Sequence, residues 1–283
     1  MNTEIYYFSG TGNSLFLAKE VQQRIPDSEI LPIACLLNKD RIISGARIIG
    51  FVFPVHALTI PLALMKFLRK FNCSGAEYIF AIADRHGTVF YGFKKIDRLL
   101  KKHGKRLDAQ FVIDMCNNES RHPNYQVPSE EEIEACERAA LKKLDTAAEI
   151  ILKRGCHEYN IKDYPIPTAS NPISAFFIEK LVLALMGIAE HTRGVNYFYH
   201  DGRCTGCGIC EKVCLSGKLS IDSGKPIWKK EISCYMCFAC LNFCPVKAVQ
   251  IRDIPGVKSY TKENGRYPHP YASIGDMQKQ KGG

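Results

Sequence analysis

Nothing in this chain approaches the run of roughly 20 apolar residues that a membrane-spanning helix needs. Its first residues pass straight into a strand-like segment, without the charged leader and apolar core of a secretory signal. Both absences predict a cytoplasmic protein, where thiols stay reduced. Tryptophan is almost missing, Trp228 being the only one in 283 residues. No Ser-His-Asp motif supports hydrolytic chemistry. Acidic side chains are outnumbered, 29 against 38 Lys and Arg, for a formal charge of +9.

What the chain has in quantity is cysteine, 13 in all. Eight fall in two blocks: Cys204, Cys207, Cys210 and Cys214, then Cys234, Cys237, Cys240 and Cys244. Each block reads C-x2-C-x2-C-x3-C, the spacing that holds a [4Fe–4S] cube in two-cluster ferredoxins, where the fourth cysteine of each run ligates the other cluster. The spacing thus assigns Cys204, Cys207, Cys210 and Cys244 to one cube, and Cys234, Cys237, Cys240 and Cys214 to the second. A single zinc ion instead draws two cysteines from each of two separated knuckles. The first block ends Cys214-Leu215 where the second has Cys244-Pro245. The missing proline loosens a loop without removing a ligand. Cys35, Cys73, Cys116, Cys136 and Cys156 are scattered without partner spacing and read as buried structural residues.

The length favours two domains, and 46% hydrophobic with 24% charged residues is ordinary for a globular protein. Near the N-terminus an apolar run from Glu4 to Phe8 enters Ser9, Gly10, Thr11, Gly12, Asn13 and Ser14; Leu15, Ala18, Val21 and Ile25 then recur at helical intervals. A strand, tight loop and helix N-terminus in that order aim backbone N–H groups and short hydroxyls at one point, where the helix dipole favours an anion. No lysine follows, so this is not the nucleoside triphosphatase loop, nor does it match G-x-G-x-x-G. Hydroxyls without a cation suit a monophosphate; the alternative is a Gly-rich turn that binds nothing. The runs Ile48 to Phe53, Tyr78 to Ala83 and Ala109 to Asp114 read as buried strands, Glu29 to Ile33 as a weaker one. Pro61 to Phe71, Val89 to His103 and Glu130 to Lys153 read as helices. Strands alternating with helices predict an α/β fold, its parallel sheet covered on both faces.

That loop, in its strand–helix setting, resembles the phosphate site of flavodoxins, which bind FMN. The resemblance implies a flavodoxin-like doubly wound five-stranded parallel sheet of order 2-1-3-4-5, with FMN at the switch point between strands 1 and 3. The loops after strands 1, 3 and 4 would meet there. Besides the 9–14 loop, this makes Pro54, Val55, His56 and Ala57, with Asp84, Arg85, His86 and Gly87, the candidate cofactor contacts. Many flavodoxins hold the ring between a tryptophan and a tyrosine; here the second loop offers only His56, with Phe90 or Tyr91 for the other face. The alternatives are His56 as a cap on the helix from Pro61, and Arg85 and His86 as solvated loop residues.

A Pro-rich stretch at 163–172 marks a domain boundary. Ile173 to Met186 then reads as an apolar helix suited to packing between domains or on a partner. The expected layout is a flavodoxin-like domain over 1–160, linker and helix over 161–195, a small α+β two-cluster ferredoxin-like domain over 196–255, and a tail over 256–283. In that tail Arg266 to Pro270 folds back before a polar, disordered end. Tyr7 to Ser14 ahead of two ferredoxin runs resembles the EFR1-family flavodoxin–ferredoxin fusion proteins. The family implies FMN and two [4Fe–4S] clusters in a cytoplasmic electron carrier. The parts themselves point to an electron-transfer flavoprotein that serves a redox partner protein, a ferredoxin or a reductase, and needs no catalytic acid or base, although a residue could protonate flavin N5. A reductase acting directly on a small substrate at the flavin, and a redox or oxygen sensor, stay open as alternatives. Nucleic acid is discounted, since two oxidised cubes and a flavin phosphate, at about −2 each, reduce the formal +9 to about +3.

Overall fold

The computed structural model describes residues 2–160, 197–253 and 257–282. The Pro-rich boundary at 163–172 and the helix at 173–186 lie outside the described residues. The N-terminal half is a parallel sheet of β1 (Thr3–Tyr7), β2 (Ser28–Pro32), β3 (Ile48–Pro54), β4 (Tyr78–Arg85) and β5 (Ala109–Asp114), in the order 2-1-3-4-5. The two central runs, Ile48 to Phe53 and Tyr78 to Ala83, are buried throughout, as strands covered on both faces must be. The helices α1 (Asn13–Arg24) and α4 (Glu130–Leu152) cover one face; α2 (Leu62–Lys70) and α3 (Phe93–Leu100) cover the other. A reciprocal cap between Ser129 and Glu132 starts α4, and three glutamates in its first turn complement the helix dipole.

Register brings the ends of three strands together: Tyr7 lies beside Val52, and Pro54 beside Asp84. The helix expected over Val89 to His103 is shorter. Strand β4 runs on to Arg85, Gly87 turns the chain at φ 61°, and a 3₁₀ turn at Lys101–His103 ends at Gly104 (φ 67°).

The C-terminal half pairs β6 (Phe198–His200) with β9 (Val249–Ile251), and β7 (Leu219–Asp222) with β8 (Lys225–Trp228), both antiparallel, around the short helices α5 (Ile209–Lys212) and α6 (Ala239–Asn242). The disordered end expected for the tail is corrected. Residues Ile274–Lys279 form α7 behind a reciprocal Ser273–Asp276 cap, and Met277 and Gln280 are wholly buried. The polar composition found partners: Lys19 pairs with Asp276 at 3.3 Å, and Lys281 donates to the Glu211 carbonyl at 3.0 Å. Val213, Leu215, Ala239, Phe243 and Met277 share one apolar core with Phe8, Phe53 and Phe67 of the N-terminal half. Among the described residues no helix is long and apolar enough to cross a membrane.

Candidate redox site

The two cysteine loops are conformational copies. The residues on either side of the second cysteine are left-handed in both, Gly206 and Gly208 (φ 74° and 76°) in one, Met236 and Phe238 (φ 52° and 56°) in the other. Gly217 and Lys247, three residues past each fourth cysteine, repeat the pattern at φ 68° and 51°. Glycine adopts this conformation freely, whereas Met236, Phe238 and Lys247 are strained by it. At Gly206 a Cβ would also collide with the Gly224 carbonyl.

Cys204, Cys207, Cys210 and Cys244 line one cavity. Cys210 feels the charges of those same three partners, while Cys240 feels chiefly those of Cys214, Cys234 and Cys237. The fold therefore brings together both crossed sets. Among the described residues no three His, Cys, Asp or Glu side chains close on a single metal ion. Burial pushes the thiols of Cys210 and Cys234 up to about 11, and those of Cys237 and Cys240 well up. Holding them as thiolates requires positive charge close by, such as cluster iron. The donor chemistry therefore fits [4Fe–4S] groups. Two backbone N–H groups point at sulfur, Met236 to Cys234 at 3.4 Å and Ala248 to Cys244 at 3.2 Å.

Each set also has a buried cation that sequence reasoning passed over. Lys218, 1% exposed, donates to the carbonyls of Lys229 (2.7 Å) and Ile232 (2.8 Å) and lies within electrostatic reach of Cys234. Arg266, 8% exposed, donates to the carbonyls of Thr261 (2.8 Å), Leu241 (3.2 Å) and Val249 (3.2 Å) and feels Cys244.

The 9–14 loop has the donors of a phosphate cradle. The N–H groups of Gly10, Thr11, Asn13 and Ser14 have no hydrogen-bond partner among the described residues, and the last two open α1. Gly12 takes φ 111°, and the Ser9 hydroxyl accepts its N–H at 3.1 Å. Asn13 donates from Nδ2 to the Cys116 carbonyl at 3.1 Å, leaving a buried Oδ1 unpartnered. The Ser14 hydroxyl donates to Asp84, whose carboxyl burial raises to about 7.

The outer wall of this loop comes from the far end of the chain. The Gln280 amide donates to the Ser9 carbonyl and accepts from its N–H, both at 3.1 Å. The His269 N–H donates to the Thr11 carbonyl at 2.7 Å. A Cβ on Gly12 would meet Ala272 at 2.5 Å and His269 at 2.6 Å, and one on Gly10 would run into the Cys237 backbone. Asn118 adds a bond from Nδ2 to the Thr11 hydroxyl at 2.6 Å. These covering residues carry no motif; among them only His269 lies in the Arg266 to Pro270 segment expected to fold back.

The other candidate residues gather at the same strand ends with uneven roles. The Val55 N–H donates to the Asp84 carbonyl at 2.8 Å, beside Pro54. His56 and Thr59 exchange both backbone bonds at 3.0 Å, which throws Ala57 and Leu58 into φ 43° and 69°. The His56 ring lies edge-on to Phe8, centroids 6.2 Å apart, and burial lowers its pKa to about 4. It does not cap α2, which starts after Pro61 with no side-chain cap. Arg85 is engaged by Asp114 at 2.9 Å and by the Thr88 carbonyl. His86 contacts the Met115 carbonyl through Nδ1 at 3.1 Å, and Gly87 is exposed. Phe90 is withdrawn from the list of ring contacts, because it is 1% exposed between Phe53 and Phe93 in the core. Instead an aromatic from the other half reaches in: Tyr235, between Cys234 and Met236, stands edge-on to Phe8 at 6.0 Å, with the Lys66 ammonium 5.4 Å over its ring.

Comparison with known proteins adds the following. The chain resembles an FMN-dependent NADH-azoreductase from Bacillus anthracis str. Ames Ancestor, solved in complex with FMN, at 12% identity and TM-score 0.36 over 53% of this chain and 99% of that one. An azoreductase from Bacillus anthracis str. Sterne gives 13% and 0.37 over 54% and 100%. The rubredoxin oxygen:oxidoreductase from Desulfovibrio gigas gives 15% and 0.31 over 51% and 36%. No curated protein matches the chain. The family model of the 4Fe-4S dicluster domain matches residues 203–249, so the C-terminal half contains a 4Fe-4S dicluster ferredoxin domain.

Proposed function

We propose that the chain is an electron-transfer iron–sulfur flavoprotein of the EFR1 kind, carrying FMN and two [4Fe–4S] clusters and exchanging electrons with a separate redox protein in the cytoplasm. One observation carries this reading: the backbone of Cys237 is packed on Gly10, so that a cluster-ligand loop and a phosphate-type loop share a buried interface. That contact would set a short path between the two bound groups.

The N–H groups of Gly10, Thr11, Asn13 and Ser14 would hold the flavin phosphate, with His56, Ala57, His86 and Gly87 lining the approach to the ring. FMN, when bound, supplies two-electron chemistry to a chain whose cubes exchange electrons singly. The protein's residues do the remaining work. The Met236 and Ala248 N–H groups, which donate to cysteine sulfur, would stabilise bound clusters, and Lys218 and Arg266 would offset their charge. Tyr235 and Phe8 make an edge-on aromatic contact across the interface. Cys237 packs on the N-terminal half, whereas Cys207 is exposed and its cavity is lined by ferredoxin-domain residues alone. This favours Cys234, Cys237, Cys240 and Cys214 as the inner set and the Cys204 set as the outer one, where a partner docks.

Purification without oxygen, followed by a visible spectrum and iron, sulfide, zinc and flavin analysis, tests the proposal. The expected result is a broad iron–sulfur band, about eight iron atoms and one FMN per chain. Iron without flavin would reduce the N-terminal half to a docking domain, and zinc in place of iron would end the iron–sulfur reading. Turnover of a small acceptor without a partner protein would shift the function to a reductase.

A further inference from the structure

The fold joins two cysteines that the sequence leaves far apart. Cys116 follows β5, and Cys136 lies on α4. The Cys116 thiol, 4% exposed, donates to the Glu132 carbonyl at 3.6 Å, one helical turn before Cys136. Cys136 is half-buried and packs against the same small cluster of Cys116, Tyr125 and Tyr267. Both are free thiols and neither belongs to the cluster sets.

Their surroundings matter as much as their contact. The Cys116 carbonyl holds Asn13, and Asn118 holds the Thr11 hydroxyl, so the 115–118 segment braces the phosphate-type loop. Tyr267, beside Cys116, belongs to the segment that walls the loop from outside. The pair sits where the loop, α4 and the C-terminal wall meet.

We propose that Cys116 and Cys136 are a redox-active dithiol, oxidised to a disulfide by exchange with a low-molecular-weight disulfide, and that this bond ties the brace of the loop to α4. The exchange balances. The half-exposed Cys136 attacks the external disulfide as thiolate, forming a mixed disulfide and releasing one external thiol. Cys116 then gives up its proton and displaces the second external thiol. Two protein thiols are oxidised, and one disulfide is reduced to two thiols.

The environments divide the labour. Burial pushes the Cys116 thiol up to about 12, with the contact to Cys136 next in effect, so it is inert toward solvent. Its competence comes from lying beside Cys136 in the same small cluster, which gives an intramolecular step a very high effective concentration.

The test uses the full chain with its clusters, equilibrated without oxygen over a series of glutathione to glutathione disulfide ratios. Samples are alkylated, digested and weighed by mass spectrometry. The expected result is one cross-linked peptide pair joining Cys116 to Cys136, two hydrogens lighter than the free thiols, reversed by dithiothreitol and excluding Cys35, Cys73 and Cys156. In Cys116→Ser, Cys136 should stop at the glutathione mixed disulfide; in Cys136→Ser, Cys116 should stay unmodified. Full alkylation of both at every ratio overturns the proposal, as does a wild type that stops at the mixed disulfide or cross-links either cysteine elsewhere. Because peptide mass is the readout, a chain found to lack flavin would still answer the question.

Discussion

Replacing Gly10 with alanine puts the contact between the two halves under direct load. The new Cβ would lie 2.8 Å from both the carbonyl carbon and the Cβ of Cys237, and nearer still to its carbonyl oxygen. Carbon atoms rest at about 3.5–4.0 Å, so one backbone must retreat by roughly 1 Å. Neither retreats easily: the loop is pinned through Ser9 to Gln280 and through Thr11 to His269, and Cys237 belongs to a ligand loop. Overpacking typically costs 1–3 kcal/mol; backbone on both sides places this substitution at about 3 kcal/mol. Gly45→Ala is the matched control, because no atom lies within 4 Å of its Cβ. It should stay within about 0.5 kcal/mol of wild type. Urea unfolding of the loaded protein, followed by cluster absorbance and by far-UV circular dichroism, reads the difference. With a slope of about 2 kcal/mol per molar, the Gly10→Ala midpoint should fall by about 1.5 M. The two signals should also separate as the halves uncouple. A Gly10→Ala midpoint equal to that of Gly45→Ala in both signals would refute the packing of Cys237 on the loop, and with it the argument for an inner cluster set.

Three further outcomes follow from the same geometry. Burial holds the Asp84 carboxyl at about 7 against an ordinary 3.8, and because the folded value is the higher, its contribution to stability is present below the lower value and lost as pH rises through the upper one. Wild type should therefore lose up to roughly 1.4 kcal/mol per pH unit relative to Asp84→Asn across that window, the subtraction cancelling His56 and His269, whose depressed values act in the opposite direction; parallel stability–pH curves would refute it. Cys207→Ser and Cys244→Ser should each remove the same cube, so their double mutant keeps about four iron atoms, whereas Cys207→Ser with Cys214→Ser loses both cubes; iron analysis giving the reverse grouping would undo the crossed sets. Gln280→Glu loses the bond donated to the Ser9 carbonyl and buries a charge against it, and should cost at least about 2 kcal/mol in urea unfolding, while wild-type stability would mean the wall is not docked.

What was legible in the sequence was whatever chemistry is local in the chain. Ligands at fixed spacing declare the cysteine sets, and buried parallel strands declare themselves as unbroken apolar runs such as Ile48 to Phe53. The 9–14 loop was legible because strand, hydroxyl-rich turn and helix follow one another directly. Contacts between distant segments left no such trace. Nothing about Gln280 in a polar tail announces two bonds to Ser9, and nothing about Cys116 and Cys136 announces contact, since a helix face and a strand end meet only in the fold. The tail read as disordered because its composition was weighed against solvent, when its polar groups were complements for backbone groups elsewhere. Phe90 was misplaced for the converse reason, an aromatic in a loop being taken for a ligand contact when the core between Phe53 and Phe93 had room for it.

Lys218 and Arg266 carry this logic furthest. In the sequence they are two of 38 basic residues, with nothing to distinguish them. In the fold they are 1% and 8% exposed, and their hydrogen-bond partners are almost all neutral carbonyls. Burying an uncompensated cation costs several kcal/mol, more than such carbonyl bonds return. No carboxylate bonds to either among the described residues. Beside Lys218 lies Cys234, and beside Arg266 lie Cys244 and, more weakly, the Asp201 carboxylate, so one cysteine from each crossed set neighbours a buried basic side chain. A protonated thiol offers no negative charge. The anionic clusters of the proposed function would, and they would place that charge beside both side chains.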